Sequence, residues 1–344
     1  MSSTVDARTT TFAPTVFDTD AWLGAWSRAT IEDQEIIHPG RPPRYLLLDS
    51  PFWKGYEDEV GTGSVWDNRP LLTVGSVYSV FGPAFMADDA AAVGALVDTA
   101  VAEAREQDAA GVMVFNLPPE AARQWAAIRK PNSVIRLDHA YSKMPGVGAD
   151  PVMGDVRKNA RTEWRRRWRR ATERGVQLVF EHSPTDAQID RVLELANGSA
   201  VKHDWPALYD KDTFLAVLNG VPGAHLILTD WNGLIVGAVV ALEHDGKLYL
   251  WAAGTDPSVY EDVSPYKFML YELMAQGVER GIERIEFGRG NDEFKRRHGF
   301  TGVPLWSLWY EATPGEADIY GPRLARLHDG LATAQGYDGL AQEV

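Results

Sequence analysis

The stretch KLYLWAAGTDPSVYEDVSPYKFMLYELMAQGVERGIERIEFGRGNDEFKRRHGF, Lys247–Phe300, decides the fold. Leu248, Leu250 and Ala252 alternate with Lys247, Tyr249 and Trp251, the period of a strand. Ser264 and Pro265 stand where a helix takes its N-cap and first residue. Tyr266, Met269, Leu270, Leu273, Met274, Gly277 and Val278 follow at helical spacing, and Gly281 is placed as the stop. Ile285 and Phe287 then alternate with Arg284 and Glu286 in a second strand, which leaves through Gly288-Arg289-Gly290 into a basic tail. A helix opening out of such a strand–helix–strand unit aims unpaired N–H groups and its dipole at one point, which suits an anion.

Working outward, Asn232-Gly233 and His244-Asp245-Gly246 predict tight turns between strands over 224–229, 234–243 and 247 onward. Upstream, a helix from Val156 to Arg174 carries many arginines around an inward stripe of Ala160, Trp164, Trp168 and Ala171. A strand over Val176–Phe180 and helices begun by Thr185 and Lys211 complete this half. Before it, Pro145–Pro151 reads as a linker. The first half has strands at Arg44–Leu48, Leu71–Phe81 and Val112–Leu117, with helices opened by Asp20, Asp88 and Pro118-Pro119. Ser50–Arg69 reads as a long loop rich in Gly, Trp and acids.

The residues Tyr249–Asp256, Ser264-Pro265 and Phe287–Phe300, with VRKNARTEWRRRWRRATERG and VQLVFEHSPTDAQIDRVLELANGS upstream, resemble the GNAT-type N-acyltransferases. They are most similar to the branch holding the Fem-type aminoacyltransferases and their acetyltransferase-like relatives. The resemblance covers roughly the C-terminal half, with a vaguer match before it. It implies an α/β (mixed α+β) fold of two GNAT-like domains in tandem, each a mixed sheet flanked by helices. The expected division is a lead-in over 1–15, an N-terminal domain over 16–150 and an acyltransferase domain over 151–344.

Composition fits a soluble protein and excludes several chemistries. Of 344 residues, 45% are hydrophobic and 24% charged, with no apolar run long enough to span a bilayer. With no cysteine, disulfides, thiolate catalysis and Cys-based zinc sites are ruled out. The N-terminus lacks an apolar signal core, so the cytoplasm is the expected compartment. A net charge of −14 argues against DNA or any nucleic acid gripped over the whole surface, although a basic patch could still hold tRNA. No serine-nucleophile elbow, Walker loop, His-Glu-x-x-His or dinucleotide Gly-x-Gly-x-x-Gly is present.

The resemblance implies where a donor and an acceptor would sit. Trp251, Ala252 and Ala253 would offer a strand edge to the acyl-pantetheine arm of acetyl-CoA or another acyl-CoA. Ser264, Pro265, Tyr266 and Lys267 would receive its pyrophosphate. The Gly-rich pyrophosphate loop of acetyl-CoA-using members is absent, and Glu261 and Asp262 lie close by. Lys295 matches a lysine near the Fem-type transfer site and would bond the oxyanion of a tetrahedral intermediate. Arg289 and Asp292 would orient the acceptor. From the residues themselves, His203 or Asp204 could serve as general base for an amine. Trp205 fits a pocket wall, and Tyr78, beside Phe81-Gly82-Pro83, fits the same cleft from the first half. For each, the plain alternative is a core or solvated side chain; the arginine helix in particular reads first as a solvated face and only second as a phosphate-binding surface for coenzyme A or tRNA.

The expectation is therefore a metal-independent N-acyltransferase moving an acyl group from acyl-CoA to a small-molecule amine, such as an amino acid or specialised metabolite. Two alternatives stand beside it: an aminoacyl-tRNA-dependent ligase of Fem type, and a non-catalytic binding protein on the same scaffold.

Overall fold

The computed structural model describes residues 14–26, 33–38, 42–146, 156–202 and 205–337. The first half runs α1 (Asp20–Trp26), β1 (Asp33–His38), β2 (Arg44–Asp49), α2 (Pro51–Val60), β3 (Leu71–Val74), α3 (Ala90–Glu106), β4 (Val112–Leu117), α4 (Pro119–Ile128) and β5 (Ser133–Lys143). The second runs α5 (Lys158–Glu173), β6 (Val176–Glu181), α6 (Asp186–Val201), α7 (Lys211–Gly220), β7 (Ala224–Trp231), β8 (Leu234–His244), β9 (Lys247–Thr255), α8 (Tyr260–Val263), α9 (Pro265–Glu279), β10 (Arg284–Glu286), α10 (Asp292–Arg297), β11 (Thr301–Tyr310) and α11 (Glu316–Ala334). Most of the lead-in and most of the expected linker lie outside the described residues.

Each half contains one parallel strand–helix–strand unit, β3–α3–β4 and β9–α9–β10. The halves merge into one mixed eleven-stranded sheet, in the order β1-β2-β3-β4-β11-β5-β10-β9-β8-β7-β6. The seam is the antiparallel pairing of β10 with the end of β5. β11 inserts between β4 and β5. The chain beyond residue 300 is thus built into the sheet of the first half, across the division expected near residue 150.

One sheet face carries a single apolar core shared by both halves, drawing on α1, α2, α6, α7 and α11. The other face has separate cores, under α3 and α4 in the first half and under α5 and α9 in the second. Burial of this kind contributes about 25 cal/mol per Å² of apolar surface, so the shared face joins the halves as firmly as a domain interior. Among the described residues, no helix is long and apolar enough to cross a membrane.

Three local expectations are corrected. Ser50–Arg69 is not one loop: Ser50 accepts the amide of Trp53 and opens α2, which buries Phe52, Trp53 and Tyr56 and ends at Gly61 with φ of 69°. The expected strand to Phe81 stops at Val74, because Gly75 turns the backbone with φ of 79°. Ser264 precedes α9 but does not cap it. Its φ is 45°, and its hydroxyl donates to the Tyr260 carbonyl instead of accepting a helix N–H. The turns at Asn232-Gly233 and Asp245-Gly246 form as read, with positive φ at all four residues.

Candidate acyl-transfer site

β9 is paired with β8 along its length, but a bulge at Trp251 interrupts the register: Leu250 faces Ala241 and Ala252 faces Val240. On its other side β9 pairs with β10 only from Lys247 to Tyr249. β10 then turns away, and Phe287 and Gly288 exchange backbone hydrogen bonds with Tyr141 of β5. The two strands therefore splay, leaving the 251–254 edge of β9 without a strand partner among the described residues. Gly288 sits at the fork, where a side chain would approach the Leu250 carbonyl at 3.1 Å. Gly254 is required on the opposite side, since an added Cβ would stand 1.9 Å from the Leu195 carbonyl of α6.

The equivalent fork in the first half is filled by the chain itself. Between β3 and β4, Gly82 donates its amide to the Asn116 carbonyl at 2.9 Å, and a Cβ there would meet Phe115 O at 1.9 Å. The segment 77–79 leading into it is held at three consecutive carbonyls. Arg289 Nη2 donates to Val77 at 2.8 Å, Trp251 Nε1 to Tyr78 at 3.3 Å and Asn116 Nδ2 to Ser79 at 2.8 Å. This strap fixes the start of the open fork and the loop after β10 to the first half.

Around the strap lies a dense aromatic cluster. Tyr78 packs edge-on against Phe52 at 5.0 Å between centroids, and Phe52 and Tyr56 each pack on Trp205 at 5.2 Å. Gly55 makes room for that indole: a Cβ there would lie 2.4 Å from the Trp205 ring. Tyr209 packs between Tyr78 and Trp251.

Charged groups meet at the inner edge of this cluster. Arg289 lies over the Phe52 ring at 4.5 Å, and its Nη1 donates to Tyr56 Oη at 3.4 Å. Tyr56 donates in turn to Asp138 at 3.3 Å. Burial pushes the Asp138 carboxyl up to about 6, with Arg289 pulling it down and Asp292 pushing it further up. Behind them, Tyr141 donates to Asp292 at 2.6 Å, while His139, stacked on Tyr337 at 3.8 Å, is held neutral with its value driven down to about 3 by burial and then by Arg136. Exposed Glu59 on α2 adds a third carboxylate to the field of Asp138 and Asp292.

The structure brings Tyr78, Trp205, Arg289 and Trp251 together as one neighbourhood. Ala252 and Ala253 continue the free edge of β9, with Ala253 exposed. Asp292 belongs instead to the Tyr141 side. Lys295 is not free at a surface turn. It is buried, and Nζ donates to the carbonyls of Phe287, Gly288 and Arg289 at 2.9, 3.3 and 2.9 Å. Its three protons are all engaged, so in this conformation it clamps the exit loop and offers no donor to an oxyanion. Burial lowers it to about 8.

The start of α9 is more enclosed than expected. Ser264 and Pro265 are buried, Tyr266 and Lys267 half-buried, and Ser264 Oγ accepts from Arg167 at 2.7 Å. Lys267 pairs with Glu163 at 3.1 Å, and Arg174 at the end of α5 answers Asp262, one of the two acids flagged near this helix, at 2.7 Å. His203 and Asp204 lie outside the described residues. Asp138 and Tyr56 were missed by the sequence reading, because nothing in IRLDHAY or PFWKGYEDEV signals that these two side chains meet. Among the described residues no cluster of acids and histidines is placed to hold a metal ion.

The family profile described as acetyltransferase (GNAT) domain matches residues 158–296, which hold the open fork, α9 and the Lys295 loop. Residues 158–296 are a GNAT acetyltransferase domain. The chain is accordingly an acyltransferase. The GNAT domain spans the second half of the sheet, and the whole-chain fold has solved counterparts. FemX is 12% identical, with a TM-score of 0.56 over 90% of this chain and 99% of that one. The C-terminal domain of a protein assigned as a lysylphosphatidylglycerol synthetase from Agrobacterium fabrum is 11% identical, with 0.55 over 94% and 95%. L-PGS from Bacillus licheniformis is 10% identical, with 0.54 over 87% and 90%. At these identities the likeness is one of fold. No curated protein matches the chain by sequence.

Proposed function

We propose that the chain transfers an acyl group from acyl-CoA to the amine of a small-molecule acceptor, with the donor arm laid along the free 251–254 edge of β9. The observation that carries this reading is the splay after Tyr249–Glu286, where the bulge at Trp251 leaves backbone groups free to pair with an amide-bearing chain. The acceptor enters from the aromatic side, where Arg289, Tyr56 and Asp138 stand next to the strap carbonyl that Trp251 holds.

The reaction needs a neutral amine. Asp138, with its raised value of about 6, is a stronger base than an ordinary aspartate and still largely ionised at neutral pH. It takes the ammonium proton, directly or through Tyr56. The amine attacks the thioester carbonyl, and the tetrahedral intermediate collapses as the C–S bond breaks. The leaving thiolate takes up the proton that the attacking nitrogen gives up as the amide forms, and no covalent enzyme intermediate is required.

A second reading, transfer from aminoacyl-tRNA, is favoured by one feature. Lys158, Arg166, Arg169 and Arg170 are exposed along α5, a basic face on a chain of net charge −14. Thermal-shift titration with acetyl-CoA and with aminoacyl-tRNA separates the two. Stabilisation by acetyl-CoA supports the first reading and by tRNA alone the second; neither result would leave a non-catalytic scaffold.

A further inference from the structure

We propose that Arg289 anchors a carboxylate of the acceptor, which makes the acceptor class an α-amino acid. This rests on the aromatic side of the open fork being the acceptor side.

Arg289 is a half-buried guanidinium laid on Phe52, with no carboxylate within ion-pair distance among the described residues. Of its five N–H groups, one donates to Val77 O and one to Tyr56 Oη, both uncharged acceptors. A half-buried cation with no carboxylate in direct contact is costly, and proteins normally pair it. The planar fork that remains matches a carboxylate in a bidentate geometry, and its place on an aromatic face holds that fork still.

The neighbour across Tyr56 completes the pattern. Tyr56 Oη is 3.4 Å from Arg289 Nη1 and 3.3 Å from Asp138 Oδ2. A cation and a carboxylate thus flank one hydroxyl, spaced as the α-carboxylate and α-ammonium of one amino acid would meet them. The amine so held lies against Asp138 and beside the strap that positions Trp251, which directs it at the donor edge. An amine lacking the carboxylate would leave Arg289 unanswered and fit with no defined orientation.

The test is a thermal-shift screen of the full chain with the twenty standard L-amino acids and their methyl esters, for the natural protein, Arg289→Gln and Asn116→Ala. The expected result is stabilisation by at least one free acid and not by its ester. Arg289→Gln should abolish that preference. Asn116→Ala, which loosens the same strap from its other side, should keep it, separating recognition from support. Equal shifts with acid and ester, no shift with any free acid, or a preference that survives Arg289→Gln would each overturn the proposal. Parallel turnover with acetyl-CoA keeps the two readings apart. Esters acylated as readily as acids would leave the transferase standing and remove the anchor. Acid binding without any binding of acetyl-CoA would leave the anchor and remove the acyl-CoA reading.

Discussion

The indole of Trp251 donates to the backbone carbonyl of Tyr78 at 3.3 Å, so the residue that bulges out of β9 is tied to the strap that closes the other half's fork. The same strap segment that fills the first half's crevice orders the opening of the second. This contact makes the two halves unequal: one fork stays open, and the other is filled by the chain itself.

Asn116 is the strap's anchor in the first half, and its removal should be costly. Its side chain donates to Ser79 O and, at 3.4 Å, to Val77 O, and its own φ is 58°. Asn116→Ala leaves buried carbonyls short of a donor and places alanine in a left-handed conformation. A loss of about 2–3 kcal/mol is expected in urea denaturation.

Gly55 carries Trp205 against α2. Gly55→Ala puts a methyl carbon inside the ring contact, so the indole must move off Phe52 and Tyr56. Overpacking of this kind costs about 1–3 kcal/mol. The expected signature is a red-shifted tryptophan emission together with a raised KM for the amine and an unchanged affinity for the donor.

Lys295 holds three carbonyls of the exit loop, and Lys295→Met should cost stability as well as turnover. Three buried acceptors lose their donor at once, for which about 3 kcal/mol is expected by denaturation. Turnover should fall with it as Arg289 loses its place. Loss of turnover with stability intact would instead mark Lys295 as a transition-state donor.

Asp138 should give stability and activity opposite responses to pH. Its value rises from 3.8 to about 6 on folding, so the folded chain binds more protons than the unfolded one between those limits. Its contribution is full below the ordinary aspartate value and is lost as pH rises through 6. Asp138→Asn should therefore relieve a cost on the order of 3 kcal/mol above pH 6. In the natural protein the rate should climb through an apparent pKa near 6, and in Asp138→Asn that limb should vanish with most of the activity.

Much of the second half was legible because its signals are local. Asn232-Gly233 favours positive φ, Pro265 suits the first turn of a helix, and the 3.6-residue spacing of α9 is unbroken. The GNAT-like fold followed from the same stretch. The site was legible only in part. Tyr78 and Trp205 were read into one cleft and Arg289 and Trp251 apart from it, and all four converge, but α2 was read as loop because Gly55 and Trp53 disguised its period. With α2 unseen, Phe52 and Tyr56 could not be placed, nor could the partners they give Arg289 and Asp138. Lys295 shows the converse: its sequence context reads as a solvated basic turn, whereas folding buries it under the loop it holds. The placement of β11 between β4 and β5 has no local signal, since it depends on pairing between residues more than 150 positions apart.

The central claim is that an acyl donor lies along the free edge of β9. Backbone hydrogen exchange, followed by mass spectrometry with and without saturating acetyl-CoA, tests it directly. Slowed exchange is expected in peptides covering 250–256, with peptides covering 76–83 slow in both states. Acetyl-CoA binding that leaves 250–256 unchanged, or protection confined to the first half, would contradict it.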